Sequence, residues 1–267
     1  MTGRRHVRWS SVLLSALALV WLYPVVWTLA NAIKSSADIY RAPWDVPWPP
    51  VLGNIGEAWS RGQLGVAMTN SVYVTAMTVT LVLILSVSAA YALTRLRPPF
   101  RAVLFLVVLA PLIVPTFSMF RALGLIDSLP GLALTDVVAS VSFATVILTG
   151  YFRTIPQEVI DAARVDGAGR LVVLLRIVVP LARPGIVAVA ILVAVFTWND
   201  FGGPLVLLQR PEVFTAPLAI GRFATLYATD QGLTFAGLAI VIVPPLLLFL
   251  VFRGSFLEGL TTGVVRR

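Results

Sequence analysis

Residues 66–93 read VAMTNSVYVTAMTVTLVLILSVSAAYAL, a run of 28 residues without a single charged side chain. About 20 mostly apolar residues are enough to carry an α-helix across the ~30 Å hydrocarbon core of a bilayer. A strand of a membrane β-barrel would instead alternate polar and apolar residues over about ten positions. The run therefore predicts a membrane-spanning helix.

The rest of the chain predicts that this helix belongs to a bundle of six. The chain is 58% hydrophobic and 12% charged, with a mean hydropathy of +0.93, whereas soluble domains carry about 25% charged residues. We expect an all-α, polytopic membrane protein that forms a single transmembrane domain over residues 1–267. The expected spans are 11–32, 66–93, 102–120, 132–152, 184–208 and 231–252.

Three of these runs have features that qualify the prediction. The first follows three arginines and resembles a signal peptide, but its apolar run exceeds the usual ~7–15 residues, so we interpret it as an uncleaved helix. The fourth contains Asp136 near its start. The fifth contains the polar and glycine-rich residues 199–204 at its outer end, so we expect it to bend or unwind there.

Lys and Arg residues are distributed unevenly among the segments that join the runs. The N-terminal tail, residues 95–101, residues 153–183 and the C-terminal tail together carry 14 of them, whereas the other connecting segments carry 6. Because cytoplasmic segments are enriched in Lys and Arg, we expect both termini to be cytoplasmic.

The chain lacks the groups that most enzymes and metal sites need. It has no cysteine, and its one histidine lies in the N-terminal tail, so a metal-assisted or serine–histidine mechanism is not expected. Its one lysine, Lys34, follows no glycine-rich turn, so the usual ATP-binding loop is missing. The net charge of +8 lies in short clusters between apolar runs, which argues against a nucleic-acid partner. We expect a protein that is not an enzyme and has no cofactor or metal of its own.

The predicted cytoplasmic segment 153–183 reads RTIPQEVIDAARVDGAGRLVVLLRIVVPLAR. A connection of this length with its own periodicity is usually functional. Thr154 and Gln157 have the spacing of a capping box, which predicts that a helix begins there. Gly167 can adopt a positive φ without penalty, which predicts a turn between two short helices.

One face of this predicted helix is small and apolar. Ile160, Ala163 and Gly167 lie at i, i+3 and i+7, which places them on one side of a helix. Ala162 and Ala163 would let another surface approach the backbone closely. On periodicity alone, an amphipathic helix that lies on the membrane explains the pattern equally well.

Residues 158–168, EVIDAARVDGA, followed by Pro180 and Pro184, closely resemble the EAA loop of permease subunits of binding-protein-dependent ABC importers, above all the maltose and sugar branch. The resemblance covers nearly the whole chain and includes residues 23–35, 70–71, 91–96, 198–201 and 259–265. Asp161 stands where the family usually has the Glu of EAA. The charge is kept and the reach is shortened by one methylene group, so we expect the docking contact to survive.

The resemblance implies a multi-pass permease subunit in the cell membrane that forms half of the translocation pathway of an ATP-driven carbohydrate importer. The implied partners are ATP-binding cassette subunits, which bind the ATP, a second, non-identical permease and an extracytoplasmic sugar-binding protein, with membrane lipid around the bundle. The core permease region would cover residues 66–253, including the coupling loop 153–183. The implied ATPase-coupling residues are Glu158, Asp161, Ala162, Ala163, Asp166, Gly167 and Ala168.

Asn70, Trp198, Asn199 and Asp200 are the candidates for the translocation pathway, because they lie in segments that match the family. An ionisable residue at membrane depth is by default a functional candidate. Counting about 1.5 Å per residue from Pro184 places Asp200 near the outer end of a straight helix. A helix C-cap is an equally good interpretation of Asp200.

Two other functions are compatible with the sequence. The first keeps the ABC architecture but moves another cargo, such as a polyol, a glycerol phosphate or a peptide. The second is a passive or ion-coupled carrier. Such carriers usually contain paired broken spans, whereas only the run at 184–208 looks broken here.

Overall fold

The structure is a computed structural model that describes the backbone of residues 3–95 and 120–264 and, within these ranges, the side chains of residues 12, 13, 15–95, 120–252 and 254. All regular elements in the described ranges are helical, and no strand occurs within them. The all-α prediction is therefore confirmed for this part of the chain. The third predicted span, 102–120, lies outside the described residues except for Phe120.

The helices are numbered in chain order. They are α1 (Gly3–Asn31), α2 (Ser36–Arg41), α3 (Gly53–Arg61), α4 (Leu64–Arg95), α5 (Leu129–Arg153), α6 (Gln157–Val165), α7 (Arg170–Leu181), α8 (Arg183–Asn199), α9 (Gly202–Leu207), α10 (Ala216–Leu226) and α11 (Gln231–Val264). Helix α7 contains a π-helical turn at Leu174–Val178.

Among the described residues, three helices are long and apolar enough to cross a membrane. They are α4, α5 and the part of α11 over Gln231–Phe252, and they cover the second, fourth and sixth predicted runs. Helices α7 and α8 meet at 78° and make a fourth span if the bent pair is counted as one. In α1 the apolar part is the shorter segment Ser15–Asn31. The described chain is thus a membrane helix bundle.

The fifth predicted run is interrupted near its C-terminal end, as expected. Helix α8 ends at Asn199, Asp200 has an extended backbone with ψ 125°, and α9 begins at Gly202. The Asp200 carboxylate accepts hydrogen bonds from the backbone N–H of Gly202 at 3.1 Å and of Gly203 at 3.2 Å. Because the first N–H groups of a helix have no partner within it, Asp200 both ends α8 and stabilises the start of α9.

The chain divides into two compact units, of which the first consists of Met1–Gly65 and Ala219–Val243. Side-chain hydrogen bonds order the segment that follows α1 in this unit. Asn54 Nδ2 donates to the Lys34 carbonyl oxygen at 2.7 Å, and Ser36 Oγ donates to Asp230 Oδ1 at 2.6 Å. These bonds hold the start of α2, the N-terminal part of α3 and the residue before α11 together.

The second unit consists of Val66–Leu218 and Pro244–Arg267. Its buried core joins α4, α5 and α8 to the short helices α6 and α7, through Val82, Ala90, Leu148, Phe152, Ile160, Val173, Val178, Val189 and Val193. Helices α5 and α8 approach closely at Gly185, where an added Cβ would lie 2.5 Å from Cγ of Tyr151. Helices α4, α5 and α8 and the segment 153–183 are therefore packed together within this unit.

Candidate functional site

Helix α6 ends in a turn built around Gly167, which has a φ of +83°. The N–H of Gly167 donates to the Arg164 carbonyl at 3.0 Å, and the N–H of Ala168 donates to the Ala163 carbonyl at 2.9 Å. This pair of bonds is a Schellman motif. No atom of the described residues lies within 4 Å of a Cβ built at Gly167, so the positive φ, and not lack of space, is what favours glycine. The predicted turn is confirmed.

The predicted capping box at Thr154 and Gln157 is wrong. Helix α6 begins at Gln157 without a side-chain cap, and Thr154 Oγ1 donates to the Tyr151 carbonyl at 2.8 Å. Thr154 is the C-cap residue of α5, so its hydroxyl serves the helix that ends there. The spacing alone did not show that α5 extends this close to α6.

The apolar face of α6 packs on the protein's own core. Ile160 is 0% exposed and belongs to that core, and Ala163 and Ala168 are half-buried against it. Of the alanine pair expected to admit another surface, only Ala162 is exposed. The face predicted from periodicity is therefore confirmed for Ile160 and Ala163, which attach α6 to the bundle, but not for Gly167, which is exposed.

The opposite face of α6 and the turn after it are open to solvent. The five other predicted coupling residues are exposed: Glu158, Asp161, Ala162, Asp166 and Gly167. Val165 is 87% exposed and was missed by the sequence analysis, although it lies at i+3 from Ala162 and therefore on the same side of the helix. An acidic surface with an uncovered valine in it is suited to contact another protein.

A chain of hydrogen bonds joins α6 to the last residue of α4. The Arg95 guanidinium donates to Gln157 Oε1, and Gln157 Nε2 donates to Asp161 Oδ1 at 2.8 Å. Arg164 lies 3.4 Å from the same carboxylate oxygen. One oxygen of Asp161 is thus held by two side chains of its own helix. The sequence analysis missed the contact between Arg95 and Gln157 because the two residues are 62 positions apart.

Asn70 holds the segment between α9 and α10. Its Nδ2 donates to the carbonyls of Glu212 at 2.9 Å and of Phe214 at 3.0 Å, and the adjacent Ser71 Oγ accepts the N–H of Ala216 at 2.8 Å. Asn70 and Ser71 are both buried. The side-chain amide of Asn70 is therefore engaged by backbone, and its role in the pathway stays a prediction.

The other three pathway candidates lie at the end of α8 in different surroundings. Asn199 is exposed and its Nδ2 donates to the Val195 carbonyl at 2.8 Å. Asp200 is the C-cap residue of α8, as the capping interpretation proposed, and its carboxylate also accepts N–H groups at the start of α9. Trp198 is buried. It lines a small apolar cavity together with Thr75, Ala194, Val195, Pro244, Pro245 and Leu248.

Helix α5 carries a buried acidic residue that the sequence analysis noted only as an interruption of the fourth run. Asp136 is buried, and its Oδ2 has no hydrogen-bond partner among the described residues. The charge of Asp200 acts on it electrostatically. The Asp136 carboxyl group therefore lies within electrostatic range of Asp200, where α5 meets the α8–α9 break.

Asp127 and Arg210 tie the segment before α5 to the segment after α9. Asp127 has a φ of +62°, and its Oδ1 accepts the N–H groups of Gln209 at 2.8 Å and Arg210 at 3.0 Å. The Arg210 guanidinium pairs with Oδ2 at 2.9 Å. Burial raises the pKa of Asp127, but the hydrogen bonds from Arg210 and Gln209 outweigh it and leave the pKa below 3.8. The ionised form of Asp127 is thus the form that these hydrogen bonds stabilise.

Comparison with known proteins decides the family. Residues 83–255, which include all of α5 to α10, match the family described as the inner membrane component of binding-protein-dependent transport systems. The chain belongs to this family. It is therefore a multi-pass protein of the cell membrane, and the resemblance carried by residues 158–168 is confirmed.

The similarity to known proteins extends along nearly the whole length of the permease. The diacetylchitobiose uptake system permease protein of Streptomyces coelicolor is 33% identical over 99% of this chain and 91% of the relative. The trehalose transport system permease protein of Mycobacterium tuberculosis is 31% identical over 100% of both. A chain of the crystal structure of a bacterial ABC transporter involved in import of alginate is 25% identical, with a TM-score of 0.82 over 96% of this chain and 98% of that one.

Proposed function

We propose that this permease is the transmembrane subunit of an ATP-driven carbohydrate importer and forms half of its translocation pathway. The observation that carries the proposal is the two-sided helix α6, which is anchored through Ile160 in the bundle core and presents an exposed acidic face. Carbohydrate as the cargo is supported by the similar proteins, whose names or titles refer to diacetylchitobiose, trehalose and alginate.

The assembly proposed around this chain has three kinds of partner. ATP-binding cassette subunits bind and hydrolyse ATP and receive α6, a second and non-identical permease supplies the other half of the pathway, and an external sugar-binding protein delivers the cargo. Helix α6 is packed on the core of the bundle, so a partner bound to α6 by an ion pair or an apolar contact would move together with that core. Closure of the ATPase subunits would therefore rock the spans and alternate access to the pathway.

The proposed topology has six spans with both termini in the cytoplasm. It combines α4, α5, the bent pair α7–α8 and α11 with α1 and the run 102–120. The excess of Lys and Arg in the segments on one side of these spans supports the orientation. It places segment 153–183 beside the ATPase and segment 204–230 outside the cell.

Within the coupling loop, exposure divides the seven proposed residues into two roles. Glu158, Asp161, Ala162, Asp166 and Gly167 would meet the ATPase subunit, since they are exposed. Ala163 and Ala168 would transmit the force, since they pack on the core. None of them performs chemistry.

Affinity purification of the tagged chain from its own membranes tests the proposal. We expect an ATPase, a second permease and a secreted binding protein to be recovered with it. The complex is then reconstituted in proteoliposomes with ATP on the cytoplasmic side, and uptake of labelled trehalose and diacetylchitobiose is measured with and without ATP. ATP-dependent uptake of either sugar, or of another oligosaccharide bound by the recovered binding protein, is the expected result.

The same experiment separates the competing functions. A binding protein that retains a polyol, a glycerol phosphate or a peptide, but no sugar, would replace carbohydrate by that cargo. Recovery of the chain alone, together with solute uptake that does not require ATP, would contradict the importer and favour a passive or ion-coupled carrier.

A further inference from the structure

Helix α4 makes a specific polar attachment near each of its ends, and both attachments lie within the second compact unit. Near one end is Asn70, and at the other is Arg95. The two are 25 positions apart in one uninterrupted helix that contains no proline. At about 1.5 Å per residue, they are separated by about 37 Å.

The Arg95 end is attached to the helix proposed to meet the ATPase. Arg95 donates to Gln157 Oε1, and the same amide donates to Asp161 Oδ1 at 2.8 Å. Gln157 is the first residue of α6, so the bond fixes the end of α6 that lies farthest along the chain from the Gly167 turn. Ile160, one turn further on, holds the same helix to the core.

The Asn70 end is attached to the segment 211–216. Asn70 donates to two carbonyls of that segment, and Ser71 accepts one of its N–H groups. Asn70 is 9% exposed and Ser71 is 2% exposed, so water does not compete well for these bonds. Three hydrogen bonds from two adjacent residues therefore fix this segment to α4.

The helix between the two attachments is packed as a stiff element. Val82 and Ala90 of α4 are 0% exposed and belong to the core that also contains Ile160. A continuous helix with full backbone bonding and no proline has no site at which a sharp kink is expected. A displacement of one end is therefore transmitted along the axis to the other.

We infer that α4 is a connecting rod that makes α6 and segment 211–216 move together, with Arg95 and Gln157 as positioning residues at one end and Asn70 at the other. The inference rests on the proposed function, which places the Arg95 end beside the ATPase and segment 211–216 outside the cell, on the side from which the external binding protein delivers the cargo. The new element is that nucleotide binding at the ATPase changes the segment 211–216, at the other end of α4, through these three residues. Because coupling between two binding sites is reciprocal, the same residues let a docked binding protein act on the ATPase.

The absence of cysteine from the chain makes a direct test straightforward. Glu212, whose side chain is exposed, is replaced by cysteine, which leaves its carbonyl free to accept from Asn70. In the complete complex in nanodiscs, assembled with cysteine-free ATPase and partner subunits, the rate of labelling of this thiol by a maleimide is measured with and without the non-hydrolysable analogue AMP-PNP and Mg²⁺. We expect the nucleotide to change the rate by about 5-fold or more, the lower range of measured couplings.

Four further variants, each made in the Glu212→Cys background, test whether α4 connects the two sites. Gln157→Ala and Asn70→Ala each remove one attachment, so each is expected to reduce the nucleotide response to below about 2-fold. The double variant is expected to show the same nucleotide response as the more affected single variant. Both changes interrupt the same connection, so their effects do not add. Gln157→Glu keeps an acceptor for Arg95 and is expected to retain the response.

Thr80→Ala is the control. It removes an exposed hydroxyl of α4 that donates to the Ala76 carbonyl of the same helix at 2.8 Å and attaches no second element, so the response should stay at the wild-type value. Gln157 is exposed, so its variants decide the question even if Asn70→Ala fails to assemble. The inference is overturned if Gln157→Ala keeps the full nucleotide response, or if the effects of Gln157→Ala and Asn70→Ala multiply. It is also overturned if a complex that transports sugar shows no response at all. Absence of ATPase partners or of uptake contradicts the proposed function instead.

Discussion

Replacing Gly167 by valine gives the sharpest test of the coupling loop. Gly167 has a φ of +83° and open space around the Cβ position, so the substitution is opposed by backbone strain and not by a clash. An ordinary L-residue loses about 1–2 kcal/mol in the left-handed region, and a β-branched residue is a genuine outlier there. A penalty of that size changes the population of the native turn by a factor of about 5–30. The exposed face of α6 would then no longer be presented in one fixed direction.

Gly169 supplies the matched control within the same loop. It also has no atom within 4 Å of an added Cβ, but its φ is −69° and its ψ is 162°, an extended conformation that valine adopts without strain. The two variants therefore differ in the sign of φ and not in the space available. Gly167→Asn is expected to be milder than Gly167→Val, because asparagine tolerates the left-handed region.

The assay is the number of sugar molecules taken up per ATP hydrolysed by the complex in proteoliposomes. Gly167→Val is expected to lower this ratio several-fold while the amount of chain inserted in the membrane stays unchanged, and Gly169→Val is expected to behave as the wild type. Equal ratios for the two valine variants would refute the reasoning, because they would show that the positive φ has no part in coupling.

Three other predictions follow from single contacts. Ile160→Ala removes a fully buried side chain from the core and is expected to cost about 2–5 kcal/mol of stability. The expected signs are a lower melting temperature of the complex and faster trypsin cleavage in α6, and the control Val165→Ala, at an exposed position, is expected to change neither. Gly185→Ala places a Cβ 2.5 Å from Tyr151 and is expected to destabilise by about 1–3 kcal/mol; a melting temperature equal to that of the wild type would show that the ring moves aside freely. The pKa of Asp127 is lower than 3.8 in the folded chain. The stability that its ionised carboxylate contributes to the fold is therefore present above that pH and is lost as the pH falls through the folded pKa. The melting temperature of Asp127→Asn is thus expected to lie below that of the wild type at pH 7, and the difference is expected to shrink under acid conditions; a difference that grows with acidity would contradict the sign of the shift.

The long helices could be predicted from the sequence because transfer into lipid depends on the length and composition of a continuous segment. Helix α4 extends only two residues beyond each end of the run at 66–93, and the break at the end of α8 falls where the polar and glycine-rich residues stand. The turn at Gly167 was also predictable, since a positive φ is a local property that glycine meets without strain. These features need no knowledge of which segments meet.

The contacts that connect the helices were decided by the tertiary structure alone. The partners of Asn70 lie 142 and 144 positions away, and Asp127 pairs with a residue 83 positions away. Hydrogen bonds of this kind depend on how the chain returns in space, which no local pattern records.

By itself, the sequence determined that the chain enters a membrane, where its longest apolar helices run, and which loop resembles a coupling loop. Its periodicity also showed that α6 has an apolar face, but not what covers it. Only the tertiary structure decided that this face is buried in the protein's own core and that the acidic face remains exposed. The physical reason is that amphipathicity defines two sides of a helix, whereas the packing of Ile160 against the neighbouring helices selects which side is hidden.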